Sequence, residues 1–274
     1  MLPIRDNNPT RGVAHITLTL IIINSGVFLF QMAEKDTRLD SLRYGFVPAQ
    51  LLLPKDQFLS GLQETYRVPR TDPSGRPYVN MATRQYMMTT DVEAINAILE
   101  KPAGLKLLTS MFLHGGWMHL IGNMLFLWIF GKYIEDRLGP LLFILFYLVT
   151  GVGAALTHGI FDPGYVPLVG ASGAISGVMG AYLVLAPKSR IYAITFIGYI
   201  FITVNLPAWI YMVFYIVIQN LYPATFSVGQ GGVAHWAHLG GVVFGVALAL
   251  VVPKRSALPR PAGGEEIEDA DIVI

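Results

Sequence analysis

The chain has 274 residues, 53% of them hydrophobic and only 14% charged, with a formal net charge of +1 and no cysteine. About a quarter of an average soluble domain is charged, so the shortfall points to a membrane protein. The near-neutral balance argues against a nucleic-acid partner, and the missing cysteines exclude disulfides, thiolate catalysis and zinc–thiolate sites.

Residues 1–12 form a polar segment that runs straight into an apolar one. Val13 to Met32 has roughly the 20 residues needed to cross a bilayer. It is longer than the apolar core of a secretory signal and lacks a small-residue cleavage site, so it reads as a retained first span. His15 at its start reads as an interfacial histidine. Residues 34–106 are too polar to span and form a long extramembrane insert. Pro54, Pro69, Pro73 and a turn at Gly75-Arg76-Pro77 punctuate it, and short helices are expected within it. Leu107 to Phe130 is the second span, closed by Lys132, Glu135, Asp136 and Arg137. Leu141 to Thr157 is the third and Val166 to Pro187 the fourth. The stretch Ile191 to Tyr222 is too long for one span at about 1.5 Å per residue. Pro207 divides it, which places the fifth span at Leu206 to Tyr222 and leaves the β-branched and aromatic run Ile191 to Thr203 along the interface. The uncharged stretch Pro223 to Gly232 is a loop, and Val233 to Val252 is the sixth span. Residues 254–274 form a tail whose acidic end, Glu265 to Asp271, is expected to be disordered. The fold class is therefore an all-α polytopic membrane protein, with a membrane domain at 13–253. Lys and Arg avoid the loops after spans three and five, which puts both termini in the cytoplasm. The long first loop then lies outside despite its basic residues, because the charge rule weakens beyond about 60 residues.

This topology collects polar residues in one outward layer. Ser172 falls about six residues, or roughly 9 Å, into span four, and His238 about five residues, or roughly 8 Å, into span six. His119 and Asn123 occupy the outer half of span two. Polar residues inside a bilayer are costly and usually functional. Ala234, His238, Gly241 and Gly245 share one helix face, and Ser172, Ser176 and Gly180 share another, beside a stripe of Gly173, Gly177 and Ala181. Small residues let such faces approach closely, so a serine hydroxyl can meet an imidazole, as nucleophilic catalysis requires. No acidic residue lies at that depth in spans two, four or six, so a Ser–His dyad without a third member is expected. Asn123, His119 and the Ser172 backbone N–H are the candidate oxyanion donors. The other readings are helix packing for the glycines, interhelical hydrogen bonding for His114, His119 and Asn123, and a metal held by His114, His119, His235 and His238. No metal and no other cofactor is expected.

These residues resemble the rhomboid intramembrane serine proteases. Gly170-Ala171-Ser172-Gly173 is similar to the family's GxSG motif and implies Ser172, not Ser176, as nucleophile. Ala237-His238-Leu239-Gly240-Gly241 is similar to its AHxxG motif and implies His238, not His235, as base. His114 to Asn123 is similar to its HxxxN-bearing span, which implies oxyanion roles for His119 and Asn123, with His114, Gly170, Gly173 and Gly241 in support. Gly131, Glu135 and Gly139 resemble a structural GxxxExxxG pattern, and Pro207 to Trp209 and Gln219 resemble the fifth span of bacterial members. The resemblance implies a six-helix rhomboid-like bundle in a bacterial inner membrane that cleaves single-span membrane proteins near the outer face. Two departures stand out. The position one turn after the nucleophile, often aromatic in the family, is Ser176 here, and a Trp-Arg pair in the first loop has no counterpart. A catalytically inactive client-binding relative and a histidine-lined metal carrier or transporter are the alternatives.

Overall fold

The computed structural model describes residues 1–34, 37–69, 79–80, 85–86, 88–197, 200–226 and 233–258. The turn expected at Gly75-Arg76-Pro77, most of the loop Pro223 to Gly232 and the acidic tail lie outside the described residues.

The chain begins with a strand, β1 (Leu2–Asp6), followed by helix α1 (His15–Ala33). The insert holds α2 (Thr37–Tyr44), α3 (Pro48–Leu52), α4 (Lys55–Thr65), the short strands β2 (Arg67–Pro69), β3 (Val79–Asn80), β4 (Gln85–Tyr86) and β5 (Met88–Thr90), then α5 (Val92–Glu100) and α6 (Ala103–Thr109). It has its own core of Leu42, Val47, Phe58, Leu62, Ala94 and Ile98. Lys106 is buried beside this core and donates to the carbonyls of Leu42 and Ile98 at 3.2 and 2.7 Å. Burial pushes its ammonium down to about 8, against the pull of Glu100. Asp91 caps α5 through the Ala94 N–H at 3.0 Å and pairs with Arg38 at 2.8 Å. The backbone bond, then Arg38, holds its carboxyl below the usual range.

The expected second span is corrected at its start. The chain breaks at Leu113–Gly116, after a 3₁₀ turn at Ser110–Phe112, and α7 (Trp117–Phe126) begins only at Trp117. It continues through a π-turn at Leu127–Gly131 into α8 (Lys132–Leu138). Two features explain the ends. The pair Gly115-Gly116 disfavours helix, and Gly139, at φ 79°, adopts a left-handed conformation open to few other residues. Glu135 joins the end of α8 to the start of α1. Its carboxylate accepts from the Ile16 and Thr17 N–H groups and the Thr17 hydroxyl at 2.8–2.9 Å, filling orphan donors of the α1 first turn.

Next come α9 (Pro140–Phe161) and α10 (Ser172–Leu185). Beyond α10 the all-α expectation is corrected. The β-branched run forms β6 (Arg190–Ile197) and β7 (Ile200–Pro207), paired antiparallel, and β1 pairs with the other edge of β6 in the order β1-β6-β7. Pro207, which has no N–H, ends the ladder and precedes α11 (Ala208–Val213). A π-turn at Phe214–Leu221 and α12 (Tyr222–Phe226) complete that segment, and α13 (His235–Val251) is the last helix among the described residues.

α10 is the hub. It packs on α13, α9 and the middle of the α7–α8 rod, around Phe130, Tyr133, Phe143, Tyr147, Met179, Tyr182 and Tyr211. Outward faces carry exposed Ile22, Met118, Leu141, Leu145 and Leu250, as a lipid solvent would permit. Among the described residues, two helices, His15–Ala33 and Pro140–Phe161, are long and apolar enough to cross a membrane, while Ser172–Leu185 and His235–Val251 are apolar but shorter.

Candidate active site

The chain reaches Ser172 along an extended segment rather than inside a helix. Phe46 and Leu168 exchange backbone hydrogen bonds at 3.0 and 2.7 Å, and the Ala49 N–H donates to the Gly164 carbonyl at 3.1 Å. The insert therefore holds the segment that leads to the serine, a role the sequence did not suggest. Pro167 and Gly170, the latter at φ 123°, keep this segment from turning helical early. A β-carbon at Gly170 would also lie 2.7 Å from the His119 ring. The helix start expected at Val166 is thus corrected: Ser172 is the first residue of α10, so its N–H belongs to the unbonded first turn. His238 is likewise in the first turn of α13, which starts at His235.

Glycines set how closely these two helices approach. A β-carbon at Gly241 would collide with the Gly173 carbonyl, one at Gly245 with the Gly177 carbonyl, and one at Gly180 would sit 2.5 Å from the Val242 carbonyl. With no side chains between them, the backbones meet. The Ser172 hydroxyl then lies 2.8 Å from His238 Nε2.

The other imidazole nitrogen is also engaged. His238 Nδ1 lies 2.7 Å from Oδ1 of Asn220, which is 1% exposed. Asn220 Nδ2 donates to the Tyr215 carbonyl at 2.8 Å, fixing which end of the amide faces the histidine. Tyr215 supplies the missing aromatic. Its ring stacks on His238 with centroids 6.3 Å apart and planes at 29°, and its hydroxyl lies 2.7 Å from Ser176 Oγ. Ser176 donates to the Ser172 carbonyl at 2.7 Å, so its proton is used and Tyr215 is the donor to it. A small residue at position 176 leaves room for this ring from a different helix.

His119 and Asn123 flank the same point. The Gly115 N–H donates to His119 Nδ1 at 3.5 Å, which leaves Nε2 to carry the proton of the neutral ring. Nε2 and the adjacent Cε1 form the ring edge against Gly170. Asn123 Nδ2 is buried without a hydrogen-bond partner, 3.7 Å from where a β-carbon of Gly170 would stand. His114 packs edge-on to His119 and Phe28, and its backbone N–H donates to Gln31 at 3.0 Å. His235 does not touch the serine; its Nδ1 lies 3.4 Å from Asn220 Oδ1. Among the described residues, no three His, Asp or Glu side chains converge as a metal site would require.

Tyr215 and Asn220 escaped the sequence reading. On an α-helix, residues five apart point about 140° away from each other. Here the segment is π-helical, with i→i+5 geometry, and both face His238.

A stretch of 167 residues is 32% identical to Rhomboid-like protein 11, chloroplastic, of Arabidopsis thaliana, covering 56% of this chain and 54% of the relative. The match to Rhomboid protease GluP of Bacillus subtilis (strain 168) is 33% identical over 167 residues, 60% of this chain and 30% of the relative. Rhomboid-like protease 5 of Toxoplasma gondii is 35% identical over 142 residues, 50% of this chain and 15% of the relative. The chain thus spans about half or less of the length of these curated relatives. The Rhomboid domain family model matches residues 102–255, more than half of the chain and all of the site, and the chain belongs to the rhomboid family.

Proposed function

We propose that this protein is a six-span intramembrane serine endopeptidase that cuts single-span membrane proteins near the outer face, with Ser172 as nucleophile and His238 as base. The observation that carries the reading is the 2.8 Å contact between Ser172 Oγ and His238 Nε2 at the joined ends of two apolar helices. In the reaction, the Ser172 proton passes to Nε2 as Oγ bonds to the scissile carbonyl carbon. The carbonyl oxygen becomes an oxyanion, held by the Asn123 amide, His119 Nε2–H and the Ser172 N–H. The C–N bond then breaks, Nε2 returns the proton to the leaving amine, and water releases the acyl group by the same steps. A helical peptide bond is shielded by its own hydrogen bonds, so Gly or Pro in the substrate span favours cleavage. The fifth span, against the second, is the gate through which substrate enters. Both termini lie in the cytoplasm of a bacterial inner membrane, and fractionation tests that location, since relatives are named chloroplastic and mitochondrial.

The test compares purified wild type with Ser172→Ala and His238→Ala on a labelled single-span substrate in liposomes. Wild type should cleave and bind a fluorophosphonate at Ser172, and both variants should lose cleavage. Equal cleavage by Ser172→Ala would sink the proposal. Substrate binding without cleavage by wild type would instead favour a client-binding relative.

A further inference from the structure

We propose that Asn220 is the positioning residue of the base, so that the site is a Ser172–His238–Asn220 triad whose third member rides on the gate. The inference rests on the Ser172–His238 reading and adds to it. Three contacts support it. The Tyr215 carbonyl accepts from Asn220 Nδ2, so the Asn220 carbonyl oxygen is the end that faces His238. That oxygen is an acceptor only, so His238 Nδ1 must carry the proton and donate it across the 2.7 Å contact. Nε2 is then left with its lone pair toward the Ser172 hydroxyl, 2.8 Å away. A reversed amide would present N–H to the imidazole and impose the opposite tautomer, which cannot take the serine proton. Asn220 thus does for His238 what the asparagine does in Cys–His–Asn proteases.

The amide does not receive a proton at any step. When Nε2 takes the serine proton, the positive charge on the ring strengthens the Nδ1–H to Oδ1 bond, and the bond relaxes when the proton leaves. The titratable groups around His238 are His235 on its own helix, Tyr215 on the fifth span, His119 on the second and His158 on the third. Among the described residues, no carboxylate hydrogen-bonds to His238, so the neutral amide is the orienting group.

Placement on the fifth span gives the triad a second property. Tyr215 and Asn220 contact His238 only while that segment is seated against α13. Outward movement of the segment removes both the stacked ring and the tautomer-setting oxygen. The base is therefore assembled by gate closure, and an open enzyme holds a serine without a competent partner.

The experiment uses full-length protein in liposomes, with fluorophosphonate labelling and substrate cleavage measured across pH. Asn220→Ala should lower kcat at least about tenfold with KM little changed. Asn220→Asp should keep more activity than Asn220→Ala. It should also move the acid limb of the kcat/KM profile upward by about 1 to 3 pH units, because a carboxylate beside the ring favours imidazolium. A purely structural role for Asn220 would not move that limb. Wild-type kcat in Asn220→Ala, or a wild-type pH profile in Asn220→Asp, overturns the proposal. Nitrogen-15 NMR of histidine-labelled wild type, assigned by difference from His238→Ala, reads the tautomer without altering Asn220. Nδ1–H supports the triad, and Nε2–H overturns it even if neither variant folds. A wild type that neither cleaves nor labels is a different result, in which the underlying Ser172–His238 reading has failed.

Discussion

The Asn123 amide nitrogen is buried and makes no hydrogen bond, a condition that costs about 1–3 kcal/mol in a folded protein. A group held at that expense beside the proposed nucleophile is suited to an oxyanion that exists only during reaction. Asn123→Ala should therefore separate activity from stability. Turnover falls about 10²–10³-fold, as when other oxyanion donors are removed, while the melting temperature holds or rises. Unchanged turnover with a lowered melting temperature would mark the amide as structural. Ser176 behaves differently, although it is one turn away in the same glycine-rich run. Its hydroxyl links the Ser172 carbonyl to Tyr215 and makes no contact with His238, in keeping with the motif that favours Ser172.

Helix ends decide much of what was and was not legible at the level of elements. Apolar runs marked the positions of the long helices well, since hydropathy reports burial in lipid or core directly. Their ends were less visible. Gly170 and Pro167 move the start of α10 from Val166 to Ser172, and Gly115-Gly116 delays α7 until Trp117. The pairing of β1 with β6 joins residues nearly two hundred positions apart, which no local pattern reports. The Ser172–His238 pair was readable because its motifs are short and contiguous. Asn220 and Tyr215 were not, because a π-turn alters which residues share a face. Glu135 lies between these cases. Its glycine-flanked pattern was visible, yet its work is to cap α1 from another helix through three charge-assisted bonds. Hydrogen bonds to charged groups contribute about 1.5–3 kcal/mol each, not additively. Glu135→Ala should thus destabilise the protein by at least about 3 kcal/mol, with faster amide exchange at Ile16 and Thr17. Exchange unchanged at those two amides would contradict the cap.

For the molecule as a whole, the α7–α8 rod and the segment of α11 and its π-turn meet through rings. Phe130 lies 6.0 Å from Tyr211 and Phe126 lies 6.3 Å from Tyr215, centroid to centroid. Since the chain has no cysteine, Phe130→Cys combined with Tyr211→Cys creates a single pair of thiols for a short bifunctional thiol cross-linker with a reducible spacer. Cross-linking should stop cleavage of membrane substrates while Ser172 still reacts with a small fluorophosphonate, and reduction should restore cleavage. Full cleavage by the cross-linked form would show that these segments do not separate. The insert is bonded through Phe46 and Ala49 to the 162–171 segment and so anchors the chain ahead of Ser172. The π-turn at Phe214–Leu221 also sets which kinds of sequence drift the protein tolerates. A π-turn differs from an α-turn by one residue. Losing one residue between Tyr215 and Asn220 would leave them four apart on an ordinary helix, still on one face. Gaining one would swing Asn220 about 100° away from His238. Descendants of this chain can shorten the segment by a residue and keep the Asn220–His238 contact, but they cannot lengthen it.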